Sequence, residues 1–238
     1  MSGEFATGDL AARLRRLSAS AISDVLDECG YPHQALASGI RALDARMRMA
    51  GTAACFEGAS TLDADGRPTG GDSLPSFEMD RRLGPEVVAV IAAQGHAAST
   101  MLGGLMGLAF KGRGCEGVVT DGGVRDVTEL VELGLPTFCA YVTPLNAARR
   151  WKLTAADVTV ELPGQAASRV AIAPGDYVIG DADGVVVVPR AIAAQVIAWA
   201  EELARIEQRI VRALEAGESR ERALAEHPRF RHIARLRP

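Results

Sequence analysis

The sequence predicts an α/β fold, and three observations carry the prediction. Valine-rich runs of strand length recur at Val87 to Ala92, Gly117 to Thr120 and Gly184 to Val188, separated by segments with helical character. Runs of this kind suit strands of a sheet covered on both faces. Glycine pairs and turn residues punctuate the joins, and no internal repeat or linker divides the 238 residues, a length sufficient for one large domain with a substantial core. The expected organisation is a single domain over 1–238, with N-terminal helices over about 8–30 and a C-terminal helical extension over about 190–238.

Leu10 to Leu17 reads as a basic amphipathic helix. Ser20 is expected to cap a second helix, Ala21 to Cys29, which Gly30-Tyr31-Pro32 ends. Met49 to Phe56 is a strand. Glu57 to Pro75 turns polar and glycine-rich, with an exposed turn at Asp63 to Pro68. A short helix falls within Leu74 to Leu83, and Val87 to Ala92 is a buried strand. Gly103-Gly104-Leu105-Met106 opens a helix that ends at Lys111-Gly112-Arg113-Gly114. The strand Gly117 to Thr120 then runs into a glycine turn, Asp121-Gly122-Gly123, and a short helix, Val127 to Leu133, stops at Gly134. Thr137 to Tyr141, Val158 to Leu162, Val170 to Ile172, Tyr177 to Gly180 and Gly184 to Val188 read as strands. Pro189 starts a long helix from Ala191 to about Ala216, and an arginine-rich tail follows Gly217.

Composition excludes several classes. At 48% hydrophobic and 24% charged residues the chain is ordinary globular material. A net charge of −4 gives no footprint for nucleic acid, although the tail is locally basic. The N-terminus lacks an apolar signal core and no apolar run is long enough to cross a bilayer, so no membrane partner and a cytoplasmic location are expected. Cys29, Cys55, Cys115 and Cys139 form neither a zinc framework nor a disulfide pattern.

One stretch, GGLMGLAFKGRGCEGVVTDGGVRDVTE from Gly103 to Glu129, carries the chemistry. The first amides of a helix lack internal partners and favour an anion. Glycines 103 and 104 let a ligand reach the backbone, where the amides of Leu105 and Met106 would face it. Arg125 offers a planar fork of donors to a two-oxygen acceptor. Asp126 and Glu129 are three apart at a helix start and project about one turn apart from one face. They either complement the helix dipole and cap it, or bind a hard cation, which needs one or two carboxylates and takes further ligands from water and substrate.

Gly104, twenty intervening residues and then Arg125-Asp126-x-x-Glu129 resemble the signature of the RraA-like family. The likeness runs from about Ile22-Ser23-Asp24 to the segment Asp181 to Pro189. It implies a β/β/α sandwich of the swivelling phosphohistidine-domain type, assembled as a homotrimer or homohexamer with sites near subunit contacts. It also implies that the amides of Gly103 to Met106 hold a pyruvyl carboxylate, that Arg125 holds substrate oxygens, and that Asp126 binds Mg²⁺, or Mn²⁺, which oxygen ligands suit equally. Aldolases of this group often carry an acid where Gly104 stands. Other members have glycine there and an acid three residues after the Arg-Asp pair, as this chain does with Glu129.

The expected activity is that of a metal-dependent class II aldolase. It would cleave 4-hydroxy-2-oxoacids of the 4-hydroxy-4-methyl-2-oxoglutarate type to pyruvate and decarboxylate oxaloacetate through the same enolate. No lysine falls at the motif, and Lys111 lies at the far end of its helix, which disfavours a Schiff base. The alternative implied by the family is a non-catalytic regulator that binds an endoribonuclease. A methyltransferase label borne by some relatives fits poorly, because Gly122-Gly123 directly before Val124-Arg125 is not a nucleotide-cofactor loop. His96, after a strand, and Asp72, in the polar loop, are secondary candidates for the pocket. Asp181 and Asp183 are explained by turn geometry.

Overall fold

The computed structural model describes residues 7–69 and 73–236. The chain opens with helices α1 (Thr7–Leu14) and α2 (Ala19–Cys29), followed by strands β1 (Arg41–Ala42) and β2 (Met49–Ser60). Next come α3 (Phe77–Asp80), β3 (Val87–Ala92), β4 (Thr100–Leu102), α4 (Gly104–Gly112), β5 (Gly117–Thr120), β6 (Gly123–Val124) and α5 (Val127–Glu132). Strands β7 (Thr137–Cys139), β8 (Tyr141–Val142), β9 (Trp151–Ala156), β10 (Val160–Pro163), β11 (Arg169–Ile172), β12 (Tyr177–Asp181) and β13 (Gly184–Val188) follow. A 3₁₀ turn, Arg190–Ile192, leads into α6 (Ala193–Glu215) and then α7 (Arg220–Glu226).

The main sheet has the order β1-β7-β5-β3-β2-β12-β13, with β9 also paired to β2. Its centre is parallel, β2 to β3 to β5 to β7, and its flanks are antiparallel. Alternation along β3 shows how the layers form. Ala89 and Ile91 pack with Phe110 of α4 and Leu130 of α5, whereas Val88 and Val90 pack with Val160, Leu162, Val170 and Ile172 of the β10–β11 hairpin. A small sheet, a large sheet and a helical layer therefore stack in the expected β/β/α order. Helices α1, α2 and α6 form a further core against Tyr177, Ile179, Val186 and Val188.

Several boundaries differ from the sequence reading. Helix α1 ends at Leu14 instead of Leu17, because Ser18 must be extended (φ −92°, ψ 153°) to cap α2. Ser18, not Ser20, is that cap: its Oγ accepts the Ala21 amide at 3.2 Å. The Asp181 carboxylate takes the Ala19 amide at 2.9 Å, and this tertiary partner fixes the helix start. Strand β2 continues through Glu57–Ser60, read as polar loop, because β9, unassigned from sequence, pairs with it across a register shift. Thr137 to Tyr141 is not one strand: β7 belongs to the main sheet and β8 to a separate small one. The tail contains α7, and two of its arginines have internal partners: Arg222 pairs with Glu218 and Glu226, and Arg229 with Asp24 and Glu207. All four cysteines are buried and free, and burial pushes the thiols of Cys55 and Cys139 up to about 12 and about 11.

Candidate active site

The functional segment is organised by a second sheet, β4-β6-β8, that the sequence did not reveal because no strand in it exceeds three residues. Both pairings are parallel, so the three strands end at one edge. Beyond β4 lie Gly103 and the start of α4; beyond β6 lie Arg125, Asp126 and α5. The Arg125 amide donates to the Leu102 carbonyl at 3.1 Å, which locks the two strand ends side by side. Residues separated by some twenty positions thus meet at the carboxyl edge of parallel strands, the usual place for a ligand in α/β folds.

Asp126 stands at this junction. It is one of few non-glycine residues with positive φ (57°, ψ 43°), a left-handed conformation that aspartate tolerates better than most side chains. The conformation turns its carboxylate away from its own helix: Asp126 makes no capping bond to α5. Oδ2 instead accepts the Gly104 amide at 2.9 Å and lies 3.3 Å from Arg125 Nε. Asp126 therefore caps not its own helix but the first amide of α4. It also removes the Gly104 amide from the set expected to face an anion. Those of Leu105 and Met106 remain, in a first turn whose cap, Gly103, has no side chain to occupy them.

Glu129 reaches the same spot from α5. A Cβ built at position 104 would collide with Glu129 Oε2, and one at 103 would meet Asp126 Oδ2 at 2.8 Å and Arg125 Nε at 2.9 Å. Glycine is required here for close approach, not for an unusual φ. The Glu129 carboxylate occupies the space that a side chain at 104 would enter. Among the described residues no group of three His, Cys, Asp or Glu side chains gathers as a metal cage. Asp126 and Glu129, both exposed and both against the Gly104 backbone, are nevertheless the one-or-two-carboxylate set that a hard, partly hydrated cation uses.

Beside this edge lies a cavity of about 540 Å³ lined by Gly103, Leu105, Met106 and Arg125 of the predicted set. Its other walls come from residues that the motif did not announce: the 73–76 loop, Met79 of α3, residues 146–148 and Trp151 to Leu153 of β9. The one available signal was the alternation around Trp151 and Leu153, which marks an amphipathic strand. His96 does not line this cavity. It is buried, its ring Nε2 pairs with Ser99 Oγ at 2.8 Å, and its carbonyl and that of Ser99 accept the Tyr141 hydroxyl at 3.3 and 2.9 Å. Burial, then the nearby Arg150 charge, holds its imidazole below the ordinary histidine value. His96 therefore braces β4 against β8. Asp72 lies outside the described residues. Lys111 Nζ donates to the Gly134 carbonyl at 2.9 Å, away from the motif.

Comparison with known proteins shows the family of the chain. The family model described as RraA-like, Aldolase/RraA, matches residues 19–187. A protein of Halalkalibacterium halodurans with a provisional 4-hydroxy-4-methyl-2-oxoglutarate aldolase name is 31% identical over 183 residues, 76% of this chain and 77% of that protein. The Streptomyces coelicolor protein RraAS2, described as an unusual member of the RNase ES inhibitor RraA family, superposes with a TM-score of 0.72 at 30% identity, covering 84% of this chain and 96% of its own. An uncharacterised protein of Pseudomonas syringae superposes with a TM-score of 0.76 at 25% identity over 91% of this chain and 96% of its own.

Proposed function

Because this chain belongs to the RraA-like (Aldolase/RraA) family, we propose that it is a metal-dependent carbon–carbon lyase that cleaves 4-hydroxy-2-oxoacids to pyruvate and decarboxylates oxaloacetate. The observation that carries the reading is the convergence of Arg125, the α4 amides and two acids at one sheet edge beside the cavity. The Arg125 fork and the amides of Leu105 and Met106 bind the 2-oxoacid carboxylate and orient the chain. Asp126 would hold a divalent cation, Mg²⁺ or Mn²⁺, with Glu129 as a second ligand or through water. When bound, that cation supplies Lewis-acid stabilisation of charge on the keto oxygen.

The proton of the 4-hydroxyl passes to a water held by Glu129. The oxygen lone pair forms the new carbonyl, the C3–C4 bond breaks, and its electrons remain on the pyruvyl half as an enolate. Arg125 donates to that developing negative charge. Protonation at C3 gives pyruvate. Oxaloacetate follows the same course with carbon dioxide as the leaving fragment, so one arrangement of residues serves both reactions.

The test is pyruvate release from 4-hydroxy-4-methyl-2-oxoglutarate and oxaloacetate, with and without EDTA, by the wild-type chain and Asp126→Ala. Turnover that needs a divalent ion and that is lost in the variant, with an unchanged circular dichroism spectrum, is the expected outcome. Full activity in EDTA or in Asp126→Ala rejects the mechanism. The resemblance to RraAS2 supports a second reading, non-catalytic binding of an endoribonuclease, which predicts no pyruvate from either substrate and capture of the ribonuclease in pull-down. Assembly as a homotrimer or homohexamer belongs to the same proposal. Its support is the apolar surface beside the site, where Leu105 is 87% and Leu108 58% exposed.

A further inference from the structure

We infer that Lys152 selects dicarboxylates by holding the carboxylate at the far end of the substrate from its 2-oxoacid group. The inference rests on the aldolase reading above and adds to it the residue that sets substrate preference.

The charges around the cavity carry the inference. Among the described residues that line it, Arg125 and Lys152 are the only charged ones, and both are cations. Asp126 and Glu129 lie against the Gly104 backbone and take no part in the lining. Arg125 enters from the end of β6, beside the first turn of α4, whereas Lys152 belongs to β9, which pairs with the main sheet. The two cations thus come from separate elements. At about 540 Å³ the cavity has the dimensions of a site for a whole small-molecule ligand, so it takes in more than the pyruvyl end.

The strand sets Lys152 at the edge of that space. In the register of β9 with β2 it lies opposite Ala59, between the buried Trp151 and Leu153, and is itself half-buried. The 73–76 loop runs along β9, with the Leu74 amide donating to the Leu153 carbonyl at 2.8 Å, and that loop is a further wall of the cavity. A lysine in such a place rests its long stem on apolar surface while its ammonium stays in the polar space. Ser76 and Asn146, also in the lining, are neutral groups able to donate to the same carboxylate. Arg150 is outside the lining and donates to the Asn146 carbonyl at 3.3 Å. A dicarboxylate brings one negative charge for each cation. A monocarboxylate occupies the Arg125 end and forgoes the second charge-assisted contact.

Calorimetric titration of the full-length protein with Mg²⁺ compares 2-oxoglutarate with 2-oxopentanoate, acids of equal chain length that lack the 4-hydroxyl needed for cleavage. The dicarboxylate should bind ~10-fold or more tightly, the scale of one hydrogen bond to a charged group. Lys152→Met should remove that preference and leave 2-oxopentanoate binding unchanged, while Lys152→Arg should keep most of it. In turnover, Lys152→Met should raise KM for 4-hydroxy-4-methyl-2-oxoglutarate by ~10-fold with little change in kcat, because the distal carboxylate takes no part in breaking the C3–C4 bond. Cleavage of 4-hydroxy-2-oxopentanoate, which has no distal carboxylate, should be unaffected. Equal binding of the two acids by the wild-type chain, or a preference that survives in Lys152→Met, overturns the inference whatever the pyruvate assay shows. A Lys152-dependent preference for 2-oxoglutarate with no pyruvate from any substrate would support the dicarboxylate site and reject the aldolase chemistry.

Discussion

A single methyl group at position 104 discriminates between the two roles open to Glu129. The Cβ of Gly104→Ala would occupy the place of Glu129 Oε2, so the carboxylate must move while Arg125 and Asp126 keep their backbone positions. If Glu129 positions the water that takes the substrate proton, Gly104→Ala should lower kcat by ~10² or more, about as far as Glu129→Gln, with a smaller change in KM. Transfer of the acid to position 104 calls for Gly104→Asp combined with Glu129→Ala, because a glutamine at 129 would still fill the same space. Partial recovery of kcat in that double variant would show that the two positions share one task. Wild-type kcat in Gly104→Ala would reduce Glu129 to a surface acid on its helix. Asp126 illustrates the related point that conformation sets a residue's role. An ordinary helix-start geometry would have aimed it at α5, and the left-handed one aims it at Gly104.

At the scale of elements, Asp181 does more than shape the turn between β12 and β13. One oxygen accepts the Asp183 amide at 3.1 Å, and the other accepts the first amide of α2 at 2.9 Å. It is buried, with 9% of its surface exposed, so removing it leaves an internal donor without a partner. Asp181→Ala should destabilise the fold by about 1–3 kcal/mol, whereas Ser18→Ala, which removes the other cap of α2, should cost about 1 kcal/mol. Urea unfolding followed by circular dichroism separates the two, and equal midpoints would mean that Asp181 contributes turn geometry alone. The same element shows why its start was misplaced from sequence. Ser18 and Ser20 are both competent caps, and the acceptor that favours the earlier start comes from 162 positions away.

For the whole molecule, the exposed apolar face of α4 is the feature that one chain leaves unfinished. Leu108 is 58% exposed near Leu105, and Val142, the last residue of β8, and Leu145 beyond it are exposed as well. Leu108→Glu should dissociate the proposed trimer or hexamer to monomers in multi-angle light scattering and lower activity with it. A wild-type chain that is monomeric at micromolar concentration, or a variant that keeps the parent mass, would refute the assembly. The end of the C-terminal extension, by contrast, packs internally: Phe230, Ile233 and Leu236 lie on the α1–α2–α6 core, and the Leu236 amide donates to the Cys29 carbonyl.

Sequence by itself determined what short-range physics can express. The buried valine strands, the glycine that ends α2 in a left-handed residue, the order of most helices and main-sheet strands, and the Arg125-Asp126-x-x-Glu129 string with its distant glycine pair were legible. Each depends on residue type and spacing within a few turns of chain. Only the tertiary structure decided that β4, β6 and β8 form a sheet of their own, since strands of two or three residues carry no periodicity and exist only because neighbours supply their hydrogen bonds. Only it gave the Gly104 amide to Asp126, placed Glu129 in the space of a missing side chain, and set His96 to bracing strands away from the cavity. It also decided what surrounds the site, because Met79, Trp151 and Leu153 approach Arg125 from segments whose proximity no local pattern encodes.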